Sequence, residues 1–363
     1  MERNTYLYDL TSILPPHQLP QADTTRWLLE AHRRSGSVRG ADIDVDRLSR
    51  FCLPESYIRR RYYECDEVDE DWESHAIYRI TRETPAGASL RERNLFFGAV
   101  AERVLGELYG AGAPAHVVHV TCTGYLSPSP VQRFFSRRGD APAVTHAYHM
   151  GCYASLPAIR IARGLALSEG LPVDVVHNEL CSLHLDPTAS SPEQMVVQSL
   201  FADGHVKYTV GPEVRGFRIR ALRERIIPET ADDMTWIPGP TGMAMTLSKE
   251  VPFRIRGELP AFLGELAAYA DVSVPELLRS AIFAVHPGGP KIIEAVQKKL
   301  ELTDAQVRHS KVVLLDRGNM SSATLPHVWK EILDASPPPG TPVVSFAFGP
   351  GLTLFGAVFE VAP

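Results

Sequence analysis

Twice along this chain an apolar strand runs into a turn of small or polar residues, and a helix follows. In the first half, His116-Val117-Val118-His119-Val120-Thr121 reads as a buried strand ending at Cys122-Thr123-Gly124. The strand Val173-Asp174-Val175-Val176-His177 then leads into Glu179-Leu180-Cys181-Ser182. In the second half, Ala281-Ile282-Phe283-Ala284-Val285 ends at His286-Pro287-Gly288-Gly289-Pro290, where a helix over 291–300 opens. A strand from Pro342 to Phe348, a Gly349-Pro350-Gly351 turn and a strand from Leu354 to Val361 follow. Helices read over 89–109, 259–270 and 274–280. Such alternation calls for an α/β fold. Its recurrence points to a duplication, with halves over 1–225 and 226–363.

At 363 residues the chain has room for one large core or two coupled ones. Its net charge of −6 supplies no basic footprint for nucleic acid or for an anionic membrane. Five cysteines are spread without a Cys-x-x-Cys pair, which argues against a disulfide framework and a structural zinc site. The first residues carry no secretory pattern, and no apolar run is long enough to span a bilayer, so a cytoplasmic protein is expected. The acidic run Glu64 to Asp71 reads as solvated surface, because like charges repel and resist unpaired burial.

Cys152 lies in His149-Met150-Gly151-Cys152-Tyr153-Ala154, where a glycine break precedes a largely apolar helix. A thiol at a helix start faces unpaired N–H groups and the positive end of the dipole, and both favour thiolate. A buried structural cysteine fits the same local pattern. His286 and Asn319, the latter in Asp316-Arg317-Gly318-Asn319-Met320-Ser321-Ser322-Ala323, stand at comparable turns. In α/β folds, reactive groups gather at such strand ends. A thiolate takes up an acyl group, while imidazole and carboxamide supply two donors for an oxyanion or enolate. Papain-like proteases share these residue types, but their Cys-Gly-Ser-Cys-Trp motif is absent. His146-x2-His149-x2-Cys152 offers a rival metal-ligand spacing, but an extended stretch points such residues to opposite sides and no fourth ligand is near, so no metal is expected.

Gly151-Cys152-Tyr153-Ala154, Phe201-Ala202-Asp203-Gly204, His286-Pro287-Gly288-Gly289-Pro290, Gly318-Asn319-Met320-Ser321-Ser322-Ala323 and Phe348-Gly349-Pro350-Gly351 follow one another in a recognisable order. In order and spacing, from about residue 50 onward, they resemble the chalcone-synthase-like type III polyketide synthases. The resemblance implies a thiolase fold, a five-layered αβαβα sandwich of two duplicated halves, working as a homodimer. It implies Cys152 as acyl carrier, with His286 and Asn319 as decarboxylation and oxyanion residues. The implied substrates are an acyl-CoA starter and malonyl-CoA, with no cofactor besides the thioesters.

The resemblance also implies a cavity bordered by Phe201, Met245, Cys122, Thr123, Cys181, His184, Ser321, Gly349, Pro350 and Gly351, with Arg59, Arg60 and Arg61 contacting CoA phosphates. Phe201 matches one gatekeeper phenylalanine, whereas the second position is Met245. Ser127 stands where the family's partner subunit lends a methionine, and Cys181 and His184 replace cavity threonines. Met234-Thr235-Trp236 is similar to bacterial members that make alkylpyrones or resorcinols. Tyr153 and His184 are further candidate polar groups in the pocket. Two alternatives stay open: a thiolase-fold enzyme joining two acyl chains or served by an acyl carrier protein, and an inactive partner subunit.

Overall fold

The computed structural model describes residues 4–65, 67 and 71–363. The first segment comprises strands β1 (Tyr6–Ile13), β2 (His17–Pro20) and β3 (Arg60–Tyr63), with helices α1 (Gln21–Val38) and α2 (Val45–Ser49) between the last two. Next come α3 (Leu90–Tyr109), β4 (His116–Thr121), α4 (Pro130–Arg138), β5 (Ala143–Tyr148) and α5 (Ser155–Glu169). They are followed by β6 (Val173–Leu180), α6 (Pro192–Leu200), β7 (Asp203–Gly211), β8 (Phe217–Ile226) and a hairpin of β9 (Met234–Pro238) and β10 (Met243–Leu247). Then come helices α7 (Val251–Ala270) and α8 (Val274–Ser280), strand β11 (Ile282–Val285), and helices α9 (Pro290–Lys299), α10 (Asp304–Arg317) and α11 (Thr324–Asp334). Strands β12 (Pro342–Gly349) and β13 (Thr353–Val361) complete the order.

Nine strands form one continuous sheet in the order β11-β12-β13-β8-β1-β7-β6-β4-β5. Read outward from the centre, its two arms repeat one pairing sequence. β8 with β13 and β13 with β12 are antiparallel, and β12 with β11 is parallel. Likewise β1 with β7 and β7 with β6 are antiparallel, and β6 with β4 is parallel. β8 pairs with β13 along most of its length and with β1 only at Phe217 and Arg218.

Two helices fill the space between the arms. α5 packs on β4, β6 and β7 of one arm and on β13 of the other, while α11 packs on β11, β1 and β7. α11 buries Trp329 completely, with its indole N–H donating to Ser345 Oγ at 2.9 Å. Outside, α3 and α4 share the apolar cluster of Leu105, Val131 and Phe135 on β4 and β6, and α7 and α9 cover the other arm through Phe262, Leu266, Ile293 and Val296.

Two elements differ from the sequence reading. β6 continues to Leu180, beyond the apolar run, because each polar residue there finds a partner. His177 Nδ1 lies 3.0 Å from Ser322 Oγ, Asn178 Oδ1 lies 3.0 Å from His119 Nε2, and Glu179 accepts from Thr123 Oγ1 at 2.7 Å. α7 begins at Val251, ahead of the expected 259, because Val251, Ile255 and Leu259 extend the buried stripe and Pro260 sits on the exposed side.

The acidic run is not wholly solvated. Glu64 is buried, bonded to His205 at 3.1 Å and paired with Arg103. Glu67 is buried because its carboxylate accepts the backbone N–H groups of Ala76, Ile77 and Tyr78, each at 2.6 Å. Charge is tolerated inside when donors surround it. Asp71 is exposed, and Asp66, Val68, Asp69 and Glu70 lie outside the described residues. Among the described residues no helix is long and apolar enough to cross a membrane.

Candidate active site

The first turns of the two central helices meet. Gly151–Tyr153 leads into α5 and Ser321–Ala323 leads into α11, and these short 3-10 turns touch. Cys152 therefore comes from one arm and Ser321 from the other, with Sγ and Oγ 3.8 Å apart. Ser321 holds φ +50°, an uncommon conformation for a residue with a side chain, and its Oγ is also 2.9 Å from Cys122 Sγ.

Burial pushes the Cys152 thiol up to about 12, and the Glu179 charge adds to this. The Ser321 hydroxyl and the Asn319 carboxamide pull the other way. The helix-start expectation of a resting thiolate is thus outweighed by loss of water around the sulfur.

Asn319 is fixed by its backbone. Its N–H donates to Leu200 O at 3.0 Å, and its carbonyl accepts from Ala202 N–H at 2.8 Å, forming a parallel bridge beside Phe201. The side-chain Oδ1 accepts from Ser321 N–H at 2.9 Å and from Thr324 Oγ1 at 3.1 Å, which leaves Nδ2 to donate. The turn after His286 reaches the same neighbourhood, where Gly289 faces Leu200. His286 is almost fully buried, and neither ring nitrogen has a partner among the described residues. Burial pulls its imidazole down to about 3, so it rests neutral.

Cys152 opens onto a cavity of about 430 Å³. Phe201, Met245, Cys122, Thr123, Cys181, His184, Ser321 and Pro350 line it, in line with the sequence reading, whereas Gly349 and Gly351 do not. His286 and Asn319 are not on its wall either. Tyr153 faces away from it. A Cβ built on Gly349 would sit 2.1 Å from Cδ1 of the Tyr153 ring, so the Gly-Pro-Gly turn presses on that ring and presents only Pro350 to the cavity.

His184 lines the cavity with both nitrogens engaged. Nε2–H donates to Thr123 O at 2.8 Å and Nδ1 accepts from Met243 N–H at 3.1 Å. Burial brings its pKa to about 3, so it is a neutral strut.

Sequence reasoning missed two residues. Trp236 forms a wall: its indole N–H donates to Cys122 O at 2.7 Å and its ring meets His184 edge-on at 5.5 Å. The Met234-Thr235-Trp236 run was visible, but only the β9–β10 register, with Trp236 opposite Met245, turns it inward. Glu179 is fully buried, accepting from Thr123, Cys122 N–H and Ser322, and burial raises its pKa. Its acidic residue type was the only signal.

The arginine trio divides. Arg59 and Arg60 pair with Asp316 near the surface. Arg61 is 1% exposed and bonded throughout to protein, which overturns its assignment to CoA phosphates. The rival metal ligands diverge: His146 Nε2 is 2.9 Å from Ser129 Oγ, and the His149 ring packs on Tyr125. Among the described residues no three His, Cys, Asp or Glu side chains form a metal cluster.

Comparison with known proteins places this geometry. Residues 218–363 match the family "Chalcone and stilbene synthases, C-terminal domain". "Probable polyketide synthase 1" of Dictyostelium discoideum is 30% identical over 260 residues, 69% of this chain. The chain spans 8% of the length of that protein. Residues 218–363 belong to the chalcone and stilbene synthase family.

The fold of this chain is matched across whole chains. The C-terminal type III polyketide synthase domain of Steely1 from Dictyostelium superposes with a TM-score of 0.86 at 23% identity, covering 99% of this chain and all of that one. 1,3,6,8-Tetrahydroxynaphthalene synthase of Streptomyces coelicolor A3(2) gives 0.83 at 22%, covering 99% of each chain. PKS-I from the brown alga Ectocarpus siliculosus gives 0.85 at 20%, with the same coverage of both. The architecture is the thiolase fold.

The tight approach at Gly349 makes a prediction about the nucleophile's support. Gly349→Ala lowers the melting temperature, because Tyr153 and the turn carrying Cys152 must shift. Gly164→Ala, inside α5 with nothing within 4 Å of the added methyl, keeps or raises it, by up to about 1 kcal/mol in stability. Thermal unfolding of the two variants side by side checks this, and equal melting temperatures would contradict it.

Proposed function

We propose that this chain is a type III polyketide synthase that loads an acyl group from a CoA thioester onto Cys152 and extends it with malonyl-CoA. The observation that carries the reading is His286: a buried neutral imidazole with no partner at either ring nitrogen among the described residues. Such a group costs free energy unless a ligand completes it.

In the first step Cys152 sulfur attacks the starter carbonyl, a new thioester forms, and CoA leaves as a thiol with the proton. Malonyl-CoA then loses CO₂, and the electron pair of the broken C–C bond becomes an enolate. His286 N–H and Asn319 Nδ2–H are the two donors for that oxygen, in a setting with little water and no strong acid. The enolate carbon attacks the Cys152 thioester, and the thiolate departs. Repeated extension and ring closure or release lead to a pyrone or resorcinol type of product. No cofactor beyond the thioesters takes part, and the cytoplasm is the compartment of the reaction.

Intact-mass spectrometry with a panel of acyl-CoAs and malonyl-CoA tests this reading. An acyl adduct forms on Cys152 and disappears in Cys152→Ala, and Asn319→Ala lowers decarboxylation by about 10²-fold. Absence of both adduct and CO₂ release from the unaltered protein would end the proposal.

Cys152 and His286 are each held neutral by burial, at about 12 and about 3. Passing the thiol proton to the imidazole forms the two charges together as an ion pair, so that each offsets the burial cost of the other. The sign follows: without the imidazolium the thiol reverts to its raised pKa, and less thiolate is present at neutral pH. His286→Gln therefore slows iodoacetamide alkylation of Cys152 at pH 7, about tenfold for each unit by which the thiol pKa rises. Alkylation as fast as in the unaltered protein would rule out the pairing.

The working unit is a homodimer joined at β5. Among the described residues that strand ends the nine-stranded order, pairing with β4 alone. Exposed strand edges invite a second copy. Sedimentation equilibrium yields twice the chain mass, and two prolines placed in β5 abolish it. A monomer at micromolar concentration contradicts the assignment.

A further inference from the structure

We infer that Arg61 is a positioning residue that fixes Phe201 and Asn319 relative to one another by capping the C-terminal end of α6. The inference rests on the roles proposed above for those two residues. A helix end leaves its last carbonyls without intrahelical donors. At the end of α6 every one of them is taken. Arg61 Nη1 donates to Gln198 O at 3.0 Å and to Phe201 O at 2.7 Å. Gln21 Nε2 donates to Ser199 O at 2.8 Å, and Asn319 N–H donates to Leu200 O at 3.0 Å. The backbone of the enolate-binding asparagine is thus one of four caps on the helix that delivers the cavity residue Phe201.

Arg61 ties the four together. Its Nε donates to Gln21 Oε1 at 2.8 Å, which orients the third cap, and its Nη2 donates to Thr24 Oγ1 at 2.9 Å. Every acceptor it reaches among the described residues is neutral, so the negative end of the α6 dipole, with the Asp203 charge farther off, offsets the buried guanidinium. The fourth cap depends on the arginine's stem. A Cβ on Gly318 would lie 2.9 Å from Leu200 O and 3.1 Å from Arg61 Cγ, and its φ is +71°. Only a glycine lets the chain pass between that carbonyl and the arginine at this conformation, and Asn319 follows immediately. The arginine is a template on one side for Phe201 and on the other for Asn319. A planar fork reaching two carbonyls and a glutamine at once is a geometry that lysine lacks.

Arg61→Lys and the near-isosteric Thr24→Val test the role, the second retaining the arginine while removing one of its acceptors. The first readout needs no substrate: amide hydrogen exchange of peptides covering 198–202 and 318–320. Exchange there rises about tenfold or more in Arg61→Lys and less in Thr24→Val, while α5 is unchanged. The second readout is malonyl-CoA decarboxylation per folded molecule. Its kcat falls about tenfold or more with KM altered less, and alkylation of Cys152 stays within about twofold. Unchanged exchange in both segments overturns the inference, as does unchanged kcat in a variant whose exchange has risen. If Arg61→Lys does not fold, Thr24→Val alone decides by the same two criteria. Loss of decarboxylation in the unaltered protein refutes the proposed function instead, and the exchange result still judges the capping role.

Discussion

Contact between the first turns of two central helices is the constraint on which this molecule depends. Because the arms of the sheet repeat one pairing sequence, α5 and α11 occupy equivalent places between them and their N-terminal turns converge. Neither arm alone holds a site. One contributes a thiol, the other contributes the hydroxyl and carboxamide beside it, and the strained φ of Ser321 is maintained by its N–H donating to Asn319 Oδ1 and its carbonyl accepting from Thr324 Oγ1. Strain of this kind survives only where neighbours over-determine the backbone.

Behind that contact lies a buried polar seam. Glu179 gathers Thr123, Cys122 N–H and Ser322, and Ser322 in turn meets His177, whose Nε2 lies 3.2 Å from Tyr208 Oη. A seam so nearly satisfied specifies one arrangement of the core, since shifting any strand by one residue would orphan several groups. The Cys152 sulfur and the His286 imidazole are treated differently: both are dehydrated, and among the described residues neither imidazole nitrogen has a partner. Contrast between a saturated support and an unsaturated reactive face is what a pre-organised site requires.

Much of this was legible in the residues. The alternation of buried strands and small turns announced the α/β class, and β4 at 116–121 and α8 at 274–280 fall where periodicity put them. Cys152 was readable from the glycine break before an apolar helix, whereas Ser321, Phe201 and Met245 came through the family resemblance. Arg61, Trp236 and Glu179 were not readable in their roles. An arginine in a basic run looks solvated until Gln21, Thr24 and two carbonyls arrive from segments distant in sequence. Burial of Glu64 and Glu67 was hidden for the same reason, since their donors Arg103 and the amides of 76–78 come from elsewhere in the fold.

The β9–β10 hairpin has a separate significance. It forms its own two-stranded sheet, outside the nine-stranded order, yet it supplies Met234, Trp236, Met243 and Met245 to the cavity wall. It is joined to the rest of the site by the Trp236 indole N–H on Cys122 O, by the Met243 amide received by His184, and on the α6 side by Gln194 Nε2 donating to Met245 O at 2.6 Å and Leu247 N–H donating to Glu193. Substitution there reshapes the chamber without disturbing the strands that hold the reactive groups. The fold thereby separates what reaction is done from what is admitted to it, and lets the second drift while the first stays fixed.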